Sequence, residues 1–183
     1  MVCYRDTRNL DTGIQMEIGE YLDMITSKLS TNFDIVREHT VNGYTYDLFA
    51  EHHLKMEHYI LSRKFVIESI QANELCFIEY GITLEEELID RFSTLLIESI
   101  PTLINLDDGH MSTIITGVLV TENKPSERIL QKIKTFTYHK GFRFGLKGWV
   151  DIRLLLVTLK ENCIVANRKG TEVLELYSIA KIL

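Results

Sequence analysis

The stretch YTYDLFAEHHLKMEHYILSRK, residues 44–64, crowds carboxylates, histidines and basic groups into a run that otherwise alternates like a β-strand. Two chemistries suit those residue types. Glu51 with His53 and His58 supplies a carboxylate and imidazoles, donors that suit a divalent transition ion such as zinc or manganese. Asp47 and Glu51 with Lys64 would instead serve magnesium-dependent hydrolysis of a phosphodiester, the lysine stabilising charge or positioning a water. Both require the residues on one face.

Asn42-Gly43 is a strong type I′ hairpin signal, and it sets a register that can be counted outward. Val41 then faces Tyr44, His39 faces Tyr46, Glu38 faces Asp47 and Asp34 faces Glu51. One face of the ribbon carries Phe33, Ile35, Val41, Tyr44, Leu48 and Ala50. The other carries Asp34, Glu38, Asp47 and Glu51, with Val36 and Phe49 between them. Opposed carboxylates repel, so a cation, a metal or water is expected beside them. A second turn about Lys55-Met56 would pair His53 with His58 and bring Lys64 beside Asp47, although LKME holds no turn-specific residue. The competing reading is a solvated sheet face balanced by Lys55, Arg63 and Lys64, with His52 packed on the apolar side.

A second candidate lies in residues 124–149. From Lys124 to Lys147 there are seven Lys/Arg against one acid, Glu127, whereas Glu74 to Asp108 holds nine acids against one base, Arg91. Arg128, Lys132 and His139 are expected on the outer side of a helix, and Lys140, Arg143 and Lys147 in a glycine-punctuated loop with Phe142, Phe144 and Trp149. Basic groups interleaved with aromatics hold phosphates and stack bases. The same charge asymmetry would orient a second copy of the chain. No phosphate-loop or dinucleotide fingerprint and no Gly-x-Ser-x-Gly elbow is present. His110, after Asp107 and Asp108, reads as turn chemistry entering a strand.

The elements that must position these groups follow from periodicity. Ile14, Ile18, Tyr21, Leu22, Ile25 and Leu29 mark a helix over 13–30, with Thr12 and Gln15 as a capping box. Residues 63–72 read as a short helix before the strand ELCFIEYG. Thr83 and Glu86 open a helix with apolar face Leu88, Phe92, Leu95, Leu96 and Ile100, which Pro101 should stop. MSTIITGVLVTEN is a central strand, and Asn123 with Pro125 begins a helix to about His139. GWVDIRLLLVTL is a strand covered on both faces, turned by KEN into CIVANRK, and TEVLELYSIAKIL is a closing helix. The order α-β-β-β-α-β-α-β-α-β-β-α implies an α+β fold, a mixed and largely antiparallel sheet with packed helices, in one domain over 1–183.

Composition agrees: 45% hydrophobic and 25% charged residues, with only 2 prolines, belong to a globular chain. No apolar run reaches bilayer length, and the start MVCYRDTRNLDTG holds no signal-peptide core, so cytoplasmic residence is expected. Cys3, Cys76 and Cys163 are odd in number and widely spaced, and read as reduced thiols.

The opening order α-β-β-β-α-β resembles the core of restriction-endonuclease-like nucleases, which place an acid-x-lysine on the third strand; here Glu57 has no lysine two residues on. The segments YTYDLFAEHHLKMEHYILSRK and FRFGLKGWVDIRLLLVTLKENCIVANRKG resemble an uncharacterised family of single-domain archaeal proteins, which implies one domain and cytoplasmic residence and no chemistry. Two function classes follow. The first is a non-catalytic binding or assembly module, a homo-oligomer or a binder of nucleic acid or another anion through 124–149. The second is a divalent-metal-dependent hydrolase, nuclease-like, on the 33–64 strands.

Overall fold

The computed structural model describes residues 4–5, 16–57, 69–82, 84–106, 110–122 and 124–179. Its strands are β1 (Tyr4–Arg5), β2 (Asp34–Val41), β3 (Tyr44–Glu57), β4 (Ser69–Tyr80), β5 (His110–Thr121), β6 (His139–Gly141), β7 (Trp149–Thr158) and β8 (Cys163–Ala166). They form one sheet in the order β1-β8-β7-β5-β4-β3-β2, and β6 pairs with β7. The helices are α1 (Ile18–Leu29), α2 (Glu86–Leu103), α3 (Glu127–Thr135) and the single turn α4 (Leu174–Tyr177). The fold is α+β: β4, β5 and β7 run parallel in the middle, and the remaining pairs are antiparallel.

The central strands are buried on both faces over most of their length, which explains their predominantly apolar sequences. Alternate residues feed two cores. Leu75, Phe77, Ile115, Leu119, Ile152, Leu154 and Leu156 pack with Phe92 and Leu96 of α2 and Ile129 and Ile133 of α3. Cys76, Ile78, Val118, Val120, Leu155 and Val157 pack with Tyr21, Leu22 and Ile25 of α1 and Tyr177 of α4. Both parallel connections, β4-α2-β5 and β5-α3-β7, step the same way across the sheet; right-handed crossovers therefore lay α2 and α3 on one face. Each fully buried Phe or Leu contributes roughly 1.5–3 kcal/mol. At Gly117, an added Cβ would stand 2.3 Å from Leu96 Cδ1 and 2.8 Å from Phe92 Cε1, so the missing side chain is what lets α2 approach β5.

The Asn42-Gly43 hairpin has the register counted from the sequence, Val41 to Tyr44 through Asp34 to Glu51. Its faces differ from expectation. The ladder passes from Arg37–Leu48 to His39–Tyr46 with no Glu38–Asp47 pair, and Glu38 has a left-handed φ of 52°. There the ribbon turns over. Val41, Tyr44 and Tyr46 face the α2/α3 core, whereas Phe33, Ile35, Leu48 and Ala50 face the α1/α4 core. The four carboxylates thus do not form one continuous face.

The second hairpin is absent. β3 runs straight through Lys55 and Met56 and pairs with β4, His53 to Asn73 and Glu51 to Leu75. Of the helix expected over 63–72, residues 69–72 are strand, and 63–68 lie outside the described residues. α1 begins at Ile18, behind Glu17, whose N–H donates to Glu20 Oε2 at 3.0 Å; the capping box at Thr12 and Gln15 lies outside the described residues, as does Thr83. α2 carries Pro101 within its last turn and continues to Leu103, because a proline there forfeits a single helical hydrogen bond. α3 is capped by Ser126, whose Oγ accepts from Ile129 N, and ends at Thr135; the β-branched and aromatic run after it leads into β6. The closing helix is a 3-10 turn, Gly170–Val173, followed by α4. Cys76 is a free buried thiol, but Cys163 is disulfide-bonded, against the expectation of reduced cysteines throughout.

Candidate functional site

Asp47 and Glu51 sit four positions apart on β3, roughly 13 Å by strand rise. Asp47 Oδ2 accepts from the Tyr80 amide at 2.7 Å, at the point where the ribbon turns over. Glu51 Oε2 lies 3.1 Å from His53 Nε2, and His53 Nδ1 lies 2.8 Å from Asn73 Oδ1. The structure therefore brings Glu51 and His53 together and separates them from Asp47. His58 and Lys64 lie outside the described residues, and among the described residues no group of three His, Cys, Asp or Glu side chains has metal-binding geometry.

The basic segment divides in two. On α3, Arg128 Nε meets Glu86 Oε1 at 2.6 Å and Lys132 Nζ meets Asp90 Oδ2 at 2.6 Å. The helix charges are thus largely answered by α2. His139 is on β6 rather than α3, and its Nδ1 lies 2.6 Å from Asp151 Oδ1. Beyond it, Lys140, Arg143 and Lys147 have no carboxylate partner among the described residues; Lys140 Nζ sits 5.5 Å from the Phe142 ring centroid. This tip is built tightly. Phe142 N donates to Gly148 O at 2.9 Å and Gly145 N to Phe142 O at 2.9 Å. Arg143 and Phe144 hold left-handed φ of 46° and 57°. Gly148, at φ 80°, packs so close that a Cβ would meet Met111 O at 2.5 Å. His110 pins the base: Lys147 O can only accept, so His110 Nδ1 donates to it at 3.0 Å, and Nε2 lies in hydrogen-bond contact with Thr113 Oγ1 at 2.9 Å. His110 opens β5 as a buried, hydrogen-bonded histidine, and the Asp-Gly turn expected before it lies outside the described residues.

A third group was not found from the sequence. Glu79, near the carboxyl end of β4, is buried with 6% of its surface exposed. Its Oε1 accepts from Tyr44 Oη at 2.5 Å and from Arg91 Nη2 at 2.8 Å. Arg91 Nη2 also reaches Tyr44 Oη at 3.1 Å, with its guanidinium 5.4 Å from the Tyr44 ring centroid. Glu79 Oε2 is buried with no hydrogen-bond partner. Burial pushes the Glu79 carboxyl above the ordinary carboxylate value, and the nearby Asp47 adds to the rise, against the bonds from Tyr44 and Arg91. Burial and the bond to Glu79 likewise raise the Tyr44 phenol. Glu79 lines an open cleft of about 430 Å³ shared with Gly81, Glu85, Glu87, Leu88 and Arg91. The one sequence signal was an acid interrupting the apolar run LCFIEYG of β4.

The family model described as a domain of unknown function (DUF8052) matches residues 17–179, which includes α1 through α4. No curated protein matches the chain. No solved structure matches it. Among the described residues, no helix is long and apolar enough to cross a membrane.

Proposed function

Since the chain belongs to this family of unknown function, we propose that it is a non-catalytic assembly module whose 139–149 hairpin docks on an acidic protein surface, that of a second copy of the chain. One observation carries the reading. The hairpin tip holds Phe144 and Leu146 at 107% and 87% exposure, flanked by Arg143 and Lys147 with no acidic partner among the described residues. Large apolar side chains held out by an ordered turn are what an interface core uses, with the charges as its rim. The complementary charge is in the same chain: the net charge is −6, and Glu85, Glu87 and Glu98 along α2 are exposed. Nucleic acid fits less well. With Arg128 and Lys132 paired to α2, the 139–149 hairpin itself offers three cations, Lys140, Arg143 and Lys147, too few for strong phosphate binding by an acidic protein.

Sedimentation over a concentration series tests this. Wild type is expected to associate, and Phe144→Ser with Leu146→Ser to stay monomeric at unchanged melting midpoint. A chain that is monomeric throughout, or a double variant that still associates, removes the reading. Binding of a single-stranded oligonucleotide with a log–log salt slope near about −2, as three displaced counterions require, would replace the protein partner with nucleic acid.

The metal-dependent hydrolase reading retains one favourable observation, the 3.1 Å contact of Glu51 and His53 on one face of β3. A manganese or zinc ion at a hundred times its dissociation constant would stabilise the fold by roughly 2.7 kcal/mol. A rise in melting midpoint that Glu51→Gln abolishes would favour this second reading.

A further inference from the structure

We infer that the cleft beside Glu79 binds a protonated amine or guanidinium carried on a short apolar stem. Three observations converge. The cleft opens past the carboxyl end of β4, beside the parallel strand β5 and the start of α2, the edge where open sheets with parallel strands receive ligands. Glu79 lines it, and the Glu79 Oε2 is buried and unpartnered, although Oε1 on the same carboxylate takes two donors. A buried oxygen without a donor costs free energy that a ligand N–H would recover. The charge on the walls selects the sign of that ligand. Glu79, Glu85 and Glu87 outnumber the single cation Arg91, and Arg91 is already engaged with Oε1. An anion would meet Glu85 and Glu87 at the mouth, and an uncharged donor would forgo their attraction. Leu88 and Gly81 supply the apolar wall along which a stem lies.

Tyr44 and Arg91 fix the carboxylate for this task. Both bind the same oxygen, Oε1, which leaves Oε2 as the acceptor. This site shares Glu85 and Glu87 with the acidic surface of the hairpin reading, whereas the Tyr44–Glu79–Arg91 network belongs to the cleft alone. The cation has two sources: a free small amine, or a lysine or arginine side chain from a second copy.

The full chain is titrated calorimetrically with butylguanidinium, with 1-butanol and butyrate as the uncharged and anionic controls. Saturable binding of butylguanidinium alone is expected. Glu79→Gln should weaken it roughly tenfold or more. Glu87→Lys, on the exposed rim and outside the Tyr44–Glu79–Arg91 network, should weaken it similarly and decides the matter if Glu79→Gln does not fold. Glu98→Gln, outside the cleft, should leave it unchanged. Equal binding of butanol, or full retention in the folded variants of Glu79 and Glu87, overturns the inference. Sedimentation of Glu79→Gln, a buried residue outside the acidic docking surface, identifies the source. Loss of self-association together with butylguanidinium binding assigns the cation to a second copy, and loss of butylguanidinium binding alone assigns it to a free amine. Serine at 144 and 146 should leave the titration intact, so failure of the hairpin reading is read separately.

Discussion

The Tyr44 hydroxyl donates to Glu79 Oε1 at 2.5 Å, joining the first residue of β3 to the penultimate residue of β4 across 35 positions of sequence. Arg91 of α2 closes the triangle on the same oxygen at 2.8 Å. Strand, neighbouring strand and crossover helix are thereby tied at one point on the rim of the cleft. Removing the phenol leaves a mostly buried carboxylate with one donor in place of two. Tyr44→Phe is therefore expected to lower stability by about 1.5–3 kcal/mol, the range for a hydrogen bond to a charged group. Urea unfolding at constant m-value checks it, and a loss below about 0.5 kcal/mol would show that Arg91 alone suffices.

The pH dependence at Glu79 runs opposite to the usual carboxylate. Burial raises its folded-state value above the ordinary one, so the native state keeps the proton when the unfolded chain has lost it. Below the ordinary carboxylate value both states are protonated and the contribution vanishes. As pH rises from there through the folded value, stability is lost. Glu79→Gln deletes this loss, so the variant should gain on wild type across that window. Parallel urea midpoints from about pH 4 to about pH 7 decide it, and a gap that widens in favour of wild type contradicts the direction of the shift.

Gly117 lies under α2. A Cβ there overlaps Leu96 Cδ1 and Phe92 Cε1, both fully buried and unable to withdraw without displacing the helix. Gly117→Ala should cost about 1–3 kcal/mol, the range for overpacking a filled core. Adding Leu96→Val should restore part of it. Additive losses in the double variant would place the strain elsewhere.

Cys76 is sealed on the opposite face. Burial pushes its thiol up to about 12, and Tyr177 Oη donates to its Sγ at 3.1 Å while Tyr21 Oη donates to Tyr177 O at 3.0 Å. Thiolate is the reactive form, so labelling of Cys76 at neutral pH should follow opening of the α1/α4 layer and share the denaturant dependence of unfolding. Rapid labelling in native buffer would show that α1 opens independently of the sheet.

Much of the fold is local information. The Asn-Gly turn set the β2–β3 register to the residue, because two positions with positive φ admit few other pairings. The 3.6-residue period of Phe92, Leu96 and Ile100 marked α2, the β-branched and apolar run of β5 marked a central strand, and the nearly continuous apolar run of β7 marked a strand covered on both faces. What those signals could not carry is relationship at a distance. LKME holds no turn residue, so only the pairing of β3 with β4 along its length decided that the strand continues and that His53 meets Asn73. The charges of α3 read as a free basic face until packing against α2 set Glu86 beside Arg128 and Asp90 beside Lys132. The ribbon's turnover at Glu38–Asp47 answers to two helical layers that the ribbon must serve at once. The cleft is the extreme case. Tyr44, Glu79 and Arg91 each carry an ordinary local signal for strand or helix, and their shared oxygen exists only because β3, β4 and α2 meet at one end of the sheet.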